Sequence, residues 1–222
     1  MGTISNKKGF TLVELMVALI VTGIIMSAVA TLAYAFRSAY DVTDDTDRKQ
    51  AQIRYATLRI SELIRHCKLI GAVAGADLVI WRDDDTPGGE GKIDPGEIVY
   101  IESGNDRIRI LDFPSCPSWL VNAFRQSAFQ AHLLDWLQED SWIKTTLIAY
   151  CNEEYVVVVP ECSNVQFRLD DEEKPPLSKF VNISFELTES GLARQYHIDS
   201  TLRCWAGHLL NAAGTDLVSD DD

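Results

Sequence analysis

From Leu15 to Phe36 the chain runs for 22 residues without a charged side chain. As a helix rising 1.5 Å per residue, this stretch is about 33 Å long, against a bilayer hydrocarbon core of roughly 30 Å. In water such a helix would be an apolar cylinder with nothing to cover it, so the segment fits a membrane better than any soluble fold. The apolar run begins at Phe10, is interrupted by one charge at Glu14, and is preceded by Lys7, Lys8 and Gly9. Lysines on that flank keep the N-terminus in the cytoplasm and send the remainder across the membrane. The expectation is a single-pass protein of the cytoplasmic (inner) membrane with an extracytoplasmic C-terminal domain.

Glu14 is the odd residue. A carboxylate inside the start of an apolar helix is costly in lipid and by default points to function; the plainer reading is a side chain at headgroup depth that reaches water. A secretory signal peptide would have an apolar core of about 7–15 residues followed by a small-residue cleavage site. The apolar run here is longer than that, which excludes this reading.

The stretch Lys8-Gly9-Phe10-Thr11-Leu12-Val13-Glu14 resembles the processing site of type IV prepilins and type II secretion pseudopilins. The resemblance implies cleavage between Gly9 and Phe10 by a prepilin peptidase, methylation of the new N-terminus at Phe10, and an assembly role for Glu14, the fifth residue of the mature chain. The physics is consistent. Cleavage creates an α-ammonium at the head of an apolar helix, and in a helix bundle Glu14 of one subunit can pair with the N-terminus of its neighbour, lowering the cost of burying both charges. The implied partners are the peptidase, the inner membrane, and other pseudopilins or pilins through the N-terminal helix. Major pilins carry a proline at the position of Thr31; its absence here fits a minor subunit. Gly23, in the middle of the helix, costs roughly 1 kcal/mol of propensity but lets neighbouring helices approach.

The 222 residues suffice for a membrane helix and one globular domain. The expected organisation is a leader at 1–9, a transmembrane and assembly helix at 10–36, its amphipathic continuation at 37–71, a β-rich extracytoplasmic domain at 72–204 and an acidic tail at 205–222. Net charge is −13, and loss of the leader makes it two units more negative. Such a surface repels phosphate backbones, so a nucleic-acid partner is disfavoured.

Ile53, Ala56, Ile60, Leu63, Ile64 and Cys67 fall at helical spacing, with Arg54, Arg59, Glu62 and Arg65 on the other faces. This predicts a helix packed on the globular domain and ending near Gly71. Beyond it, Asp77–Trp81, Glu97–Glu102 and Arg107–Phe113 read as strands, the last two joined by a turn at Ser103-Gly104-Asn105-Asp106. Ser118–Leu137 reads as an amphipathic helix. Lys144–Cys151, Tyr155–Pro160, Val165–Leu169, Val181–Thr188 and Gln195–Arg203 return to strand patterns, with a turn at Glu189-Ser190-Gly191. The fold class is α+β, a long N-terminal helix on antiparallel sheet, as the pilin resemblance also implies. The order of the last strands is similar to the end of minor pseudopilins of the J type.

The loop RDDDTPGGEGKIDPGEIV has a calcium-loop rhythm in its second half: Glu90, Gly91, Lys92, Ile93, Asp94 and Glu97 match EF-hand positions five to nine and twelve. In its first half Thr86 and Gly88 stand where acidic ligands belong, and Asp85 is one place out of register. Calcium held by Asp85, Glu90, Lys92, Asp94 and Glu97 is one reading; a solvated acidic loop without a cofactor is the other and fits the departures better. Five cysteines, Cys67, Cys116, Cys151, Cys162 and Cys204, leave at least one unpaired within the chain, and Cys151–Cys162 is the expected bridge. His66, His132, His197 and His208 have no patterned partners, and no nucleophile, metal or phosphate-binding motif of an enzyme occurs. The expected function is that of a minor pseudopilin of a type II secretion system. The alternatives are a minor type IV pilin in adhesion, motility or assembly priming, and a signal-anchored extracytoplasmic enzyme.

Overall fold

The computed structural model describes residues 11–74, 77–82, 92–104, 106–139, 142–189, 191–211 and 217. The chain divides into two compact units, Met1–Arg48 and Lys49–Asp222. Helix α1 (Leu12–His66) supplies the described part of the first unit and opens the second. In the second unit its residues Ala56, Ile60, Leu63 and Ile64 are buried, as their spacing predicts, while Arg54, Arg59, Glu62 and Arg65 face out.

The helix stops at His66, five residues before Gly71. Lys68 N donates to Trp81 O at 2.8 Å, and the chain continues as strand β1 (Leu69–Ala74) against β2 (Asp77–Trp81). Gly71 does not end a helix. The register shifts between Ile70 and Ala72, so Gly71 is the extra residue of a bulge. A Cβ there would lie 3.1 Å from Leu137 Cδ1, which explains why this close approach is made at a glycine.

Strands β3 (Ile98–Ser103), β4 (Arg107–Ser115) and β5 (Asn152–Pro160) complete a five-stranded antiparallel sheet in the order β1-β2-β3-β4-β5. A second sheet contains β6 (Cys162–Leu169), β7 (Phe180–Glu189) and β8 (Leu192–Thr201). The β7–β8 hairpin closes with Glu189 opposite Leu192 and Gly191 at φ +82°, a left-handed conformation that glycine adopts without strain.

The larger sheet is apolar on both faces. Leu78, Ile80, Val99, Ile101, Ile108 and Ile110 join the α1 stripe and the inner face of the smaller sheet in one core. Their alternates Val79, Trp81, Ile98, Tyr100, Leu111 and Phe113 face a second core. Period-two alternation normally gives such a strand one wet face; here three helices cover it. They are α2 (Ser118–Phe124), α3 (Ser127–Glu139) and α4 (Trp142–Tyr150), all inserted between β4 and β5, which pair with each other directly.

Two sequence expectations fail inside this insertion. Ser118–Leu137 is not one helix: the chain breaks at Arg125 and Gln126, and Gln130 Nε2 donates to the Phe124 carbonyl just before the break at 2.8 Å. Lys144–Cys151 is not a strand. Its β-branched residues favour one, but Ile143 and Leu147, four apart, are both fully buried on one helical face, and tertiary packing overrides propensity.

The bridge is Cys116–Cys151, with Cα atoms 4.3 Å apart, and the expected Cys151–Cys162 pair does not form. Strand β5 separates Cys151 from Cys162, and nine extended residues span about 30 Å. Cys116 and Cys151 instead flank the Ser115–Asn152 end of the β4–β5 ladder. Residues 205–211, expected in a tail, are packed: Ala206 and Leu209 belong to the second core, and Leu210 bridges to Leu217.

Candidate functional site

The first unit presents the clearest functional surface. Its apolar side chains from Leu12 to Phe36 are all exposed, and the helix is long and apolar enough to cross a membrane. Fully exposing a Leu, Ile, Val or Met costs about 1.5–3 kcal/mol relative to burial, so a surface of this extent calls for lipid or other helices. The hydroxyls within it are already satisfied. Thr22 Oγ1 donates to Ala18 O at 2.7 Å, Ser27 Oγ to Ile24 O at 2.8 Å and Thr31 Oγ1 to Ser27 O at 2.8 Å. Such back-bonding to the preceding turn is how polar side chains are accommodated in hydrocarbon.

Glu14 sits in the first turn, three residues after Thr11. Thr11 N and Thr11 Oγ1 both donate to Glu14 Oε2 at 3.0 Å, and Glu14 N donates to Thr11 Oγ1 at 3.3 Å. This is a capping box: N-cap threonine and N3 glutamate satisfy each other's backbone N–H groups, and the acid lies at the positive end of the helix dipole. The signal, Thr-x-x-Glu before an apolar run, was present in the sequence, and the reading of Glu14 as an assembly residue passed over it. Gly9 and Phe10, the expected processing residues, lie outside the described residues.

Residues 4–30 match the family model of the prokaryotic N-terminal methylation motif. The chain is type IV prepilin-like. The motif implies processing by a prepilin peptidase and assembly with other pilin-type subunits, and the helix is consistent with a single-pass membrane anchor. No curated protein and no solved structure matches the chain with significance.

The second candidate, the calcium loop, is only partly within view. Asp85 and Glu90 lie outside the described residues. Ile93 is buried in the second core, as an anchor should be. Asp94 is buried and takes Arg125 side-on, with Nε to Oδ1 at 2.9 Å and Nη2 to Oδ2 at 2.6 Å. Glu97 Oε2 accepts from Trp81 Nε1 at 3.1 Å and from Asp94 N at 3.0 Å. Both acids thus serve this prepilin-like chain internally, tying the turn before β3 to α2 and β2. Lys92, only partly buried, is the remaining described member of the set. Among the described residues, no group of three His, Cys, Asp or Glu is placed to hold a metal ion.

A half-buried charge cluster centred on Glu102 lies where α4 meets the sheet, and sequence reasoning missed it because its members, Asp77, Glu102, Arg109 and Lys144, come from four elements spread over 67 residues. Lys144 Nζ is 2.5 Å from both Asp77 Oδ2 and Glu102 Oε1. Arg109 pairs with the other oxygen of Glu102 and lies 4.3 Å over the Tyr155 ring. Burial, then Asp77 and Glu102, push the Tyr100 hydroxyl well above its ordinary pKa. Two cations and two carboxylates balance, and the cluster pins α4 to β2 and β3.

Proposed function

We propose that the chain is a minor pseudopilin of a type II secretion system. It is inserted as a prepilin, cut between Gly9 and Phe10, and packed by its N-terminal helix into a short filament or its tip. One observation carries this reading: the Gly9-Phe10…Glu14 motif heads a helix whose entire apolar surface from Leu12 to Phe36 is exposed. Threonine in place of proline at position 31 supports a minor subunit, and the Cys116–Cys151 bridge supports an oxidising, extracytoplasmic location for the second unit. The role is mechanical and organisational: the helix assembles, and the globular unit presents a surface to neighbouring subunits or cargo.

The test begins with intact mass and N-terminal sequence of the protein purified from its own membranes. An N-methylated Phe10 is expected; an intact Met1, or a cut beyond the apolar run, overturns the reading. A deletion strain separates the two filament types: loss of secreted enzymes with normal surface pili supports the pseudopilin assignment, and loss of pili with normal secretion replaces it with a minor type IV pilin.

A further inference from the structure

After β8 the chain runs alongside the end of α1. Arg203 N donates to Arg65 O at 3.0 Å and Ala206 N to Lys68 O at 2.9 Å, so the two stretches advance in the same direction and in step. Cys67 lies between the two bonded positions on one stretch, and Cys204 between those on the other. The second stretch is fixed on both sides. Leu202 N donates to Lys179 O at 2.9 Å, Trp205 Nε1 donates to Pro176 O at 3.2 Å, and Lys179 Nζ lies 3.8 Å from the Trp205 ring centre. The two cysteines are diagonal neighbours, offset by one position along stretches that these bonds bring to within about 5 Å of each other, a placement compatible with the roughly 4.4–6.8 Å between the Cα atoms of a disulfide.

Both residues are free thiols, Cys67 buried and Cys204 exposed. Cys67 Sγ donates to Ile64 O at 3.1 Å. Burial and, next, the neighbouring Cys204 push its pKa up to about 12.

We propose that Cys67 and Cys204 are the two halves of a second disulfide site, one that fastens the C-terminal segment to the end of α1 and is closed by exchange with an external disulfide. The exposed Cys204 thiolate attacks a sulfur of the incoming disulfide and expels one thiolate, leaving a mixed disulfide on Cys204. The Cys67 thiolate then attacks Cys204 Sγ and expels the second thiolate. Two protein thiols are oxidised, one external disulfide is reduced to two thiols, and the two protons released from the cysteines end on the leaving groups. With Cys116–Cys151 in place, this pairing leaves Cys162 as the odd cysteine, buried at the start of β6.

The test uses full-length protein in detergent, incubated with oxidised glutathione, quenched with acid, alkylated under denaturing conditions and mapped by tryptic digestion. No lysine or arginine follows Arg203, so the expected product is peptide 66–68 joined to peptide 204–222. Alkylatable thiols fall from the three free cysteines to Cys162 alone. Cys67→Ser should stop the reaction at a stable glutathione adduct on Cys204; if that variant does not fold, the wild-type map decides. A persistent adduct on Cys204 with Cys67 still alkylatable, an unreacted Cys204, or a bridge that includes Cys162 overturns the proposal.

Discussion

Replacing Gln130 with leucine is a sharp test of how the helical insertion is held. Gln130 is 5% exposed and serves three backbone groups. Its Oε1 accepts from Ile93 N at 2.9 Å, and its Nε2 donates to Ile93 O and Phe124 O, both at 2.8 Å. Ile93 and Phe124 are themselves buried, and the Phe124 carbonyl is one that the end of α2 leaves without a helical partner. Leucine nearly keeps the volume and removes all three bonds. An unsatisfied buried donor or acceptor costs about 1–3 kcal/mol, so the loss should be about 3–5 kcal/mol, a large part of a total stability of roughly 5–15. Gln130→Glu should be as damaging, since it keeps the acceptor for Ile93 N but turns a carboxylate on two carbonyls. The exposed Gln195→Leu is the control and should change stability by less than about 0.5 kcal/mol. Urea unfolding of the detergent-solubilised chain, followed by tryptophan fluorescence, measures all three, because Trp136 and Trp142 lie in the same insertion. A loss below about 1 kcal/mol for Gln130→Leu, at unchanged urea slope, would refute the reasoning that these bonds hold the break between α2 and α3.

The Cys116→Ser, Cys151→Ser double variant should lose about 4 kcal/mol in the same assay. The bridge spans 35 residues, and its effect falls on the entropy of the unfolded chain; reduced wild type should match it. Burial raises the thiols of Cys67 to about 12 and Cys162 to about 11, so in the thiol form both stay protonated when folded and ionise when unfolded. Their contribution is complete below pH ~8.5 and drains as pH climbs towards 11 and 12. Unfolding titrations between pH 8 and 12 should show that decline, with about half the slope up to about pH 11 in Cys162→Ala, where Cys67 alone still drives it. Glu14→Val should insert and be processed at Gly9–Phe10 but fail to enter a filament, as seen by cross-linking in a null strain; restored secretion by this variant would sink the assembly role of Glu14.

The apolar helix, the α1 stripe and most strands were legible in the sequence, because each is written in local periodicity. The continuous apolar runs Leu78–Trp81 and Ile98–Ile101 fit sheet buried on both faces, a signal that the strand assignment left unused; what covers the second face was not readable. The insertion misled for two reasons. Residues 142–150 are β-prone by composition and helical by packing, and Gln130 looks like any surface glutamine until its three backbone partners, 6 and 37 residues away, are known. The bridge was assigned by proximity in sequence, which fails across an extended strand. At Asp94, likewise, an acid in a ligand-like position gave no hint of its partner, the Arg125 guanidinium 31 residues on.

Because β4 and β5 are already partners, the chain could in principle pass from one to the other in a short turn, and the sheet would keep its order without residues 116–151. Removal would nonetheless strand Val79, Trp81, Ile98, Tyr100, Leu111 and Phe113 in water. The insertion is therefore free in wiring and bound in chemistry. A descendant could swap its outer surface, where Trp119 and Tyr150 stand exposed, at almost no cost to the scaffold, but could shed the whole only by repainting six strand positions at once. Variation among homologous chains should accordingly concentrate on the outward sides of α2 and α4, with the inward sides and the two bridging cysteines held fixed.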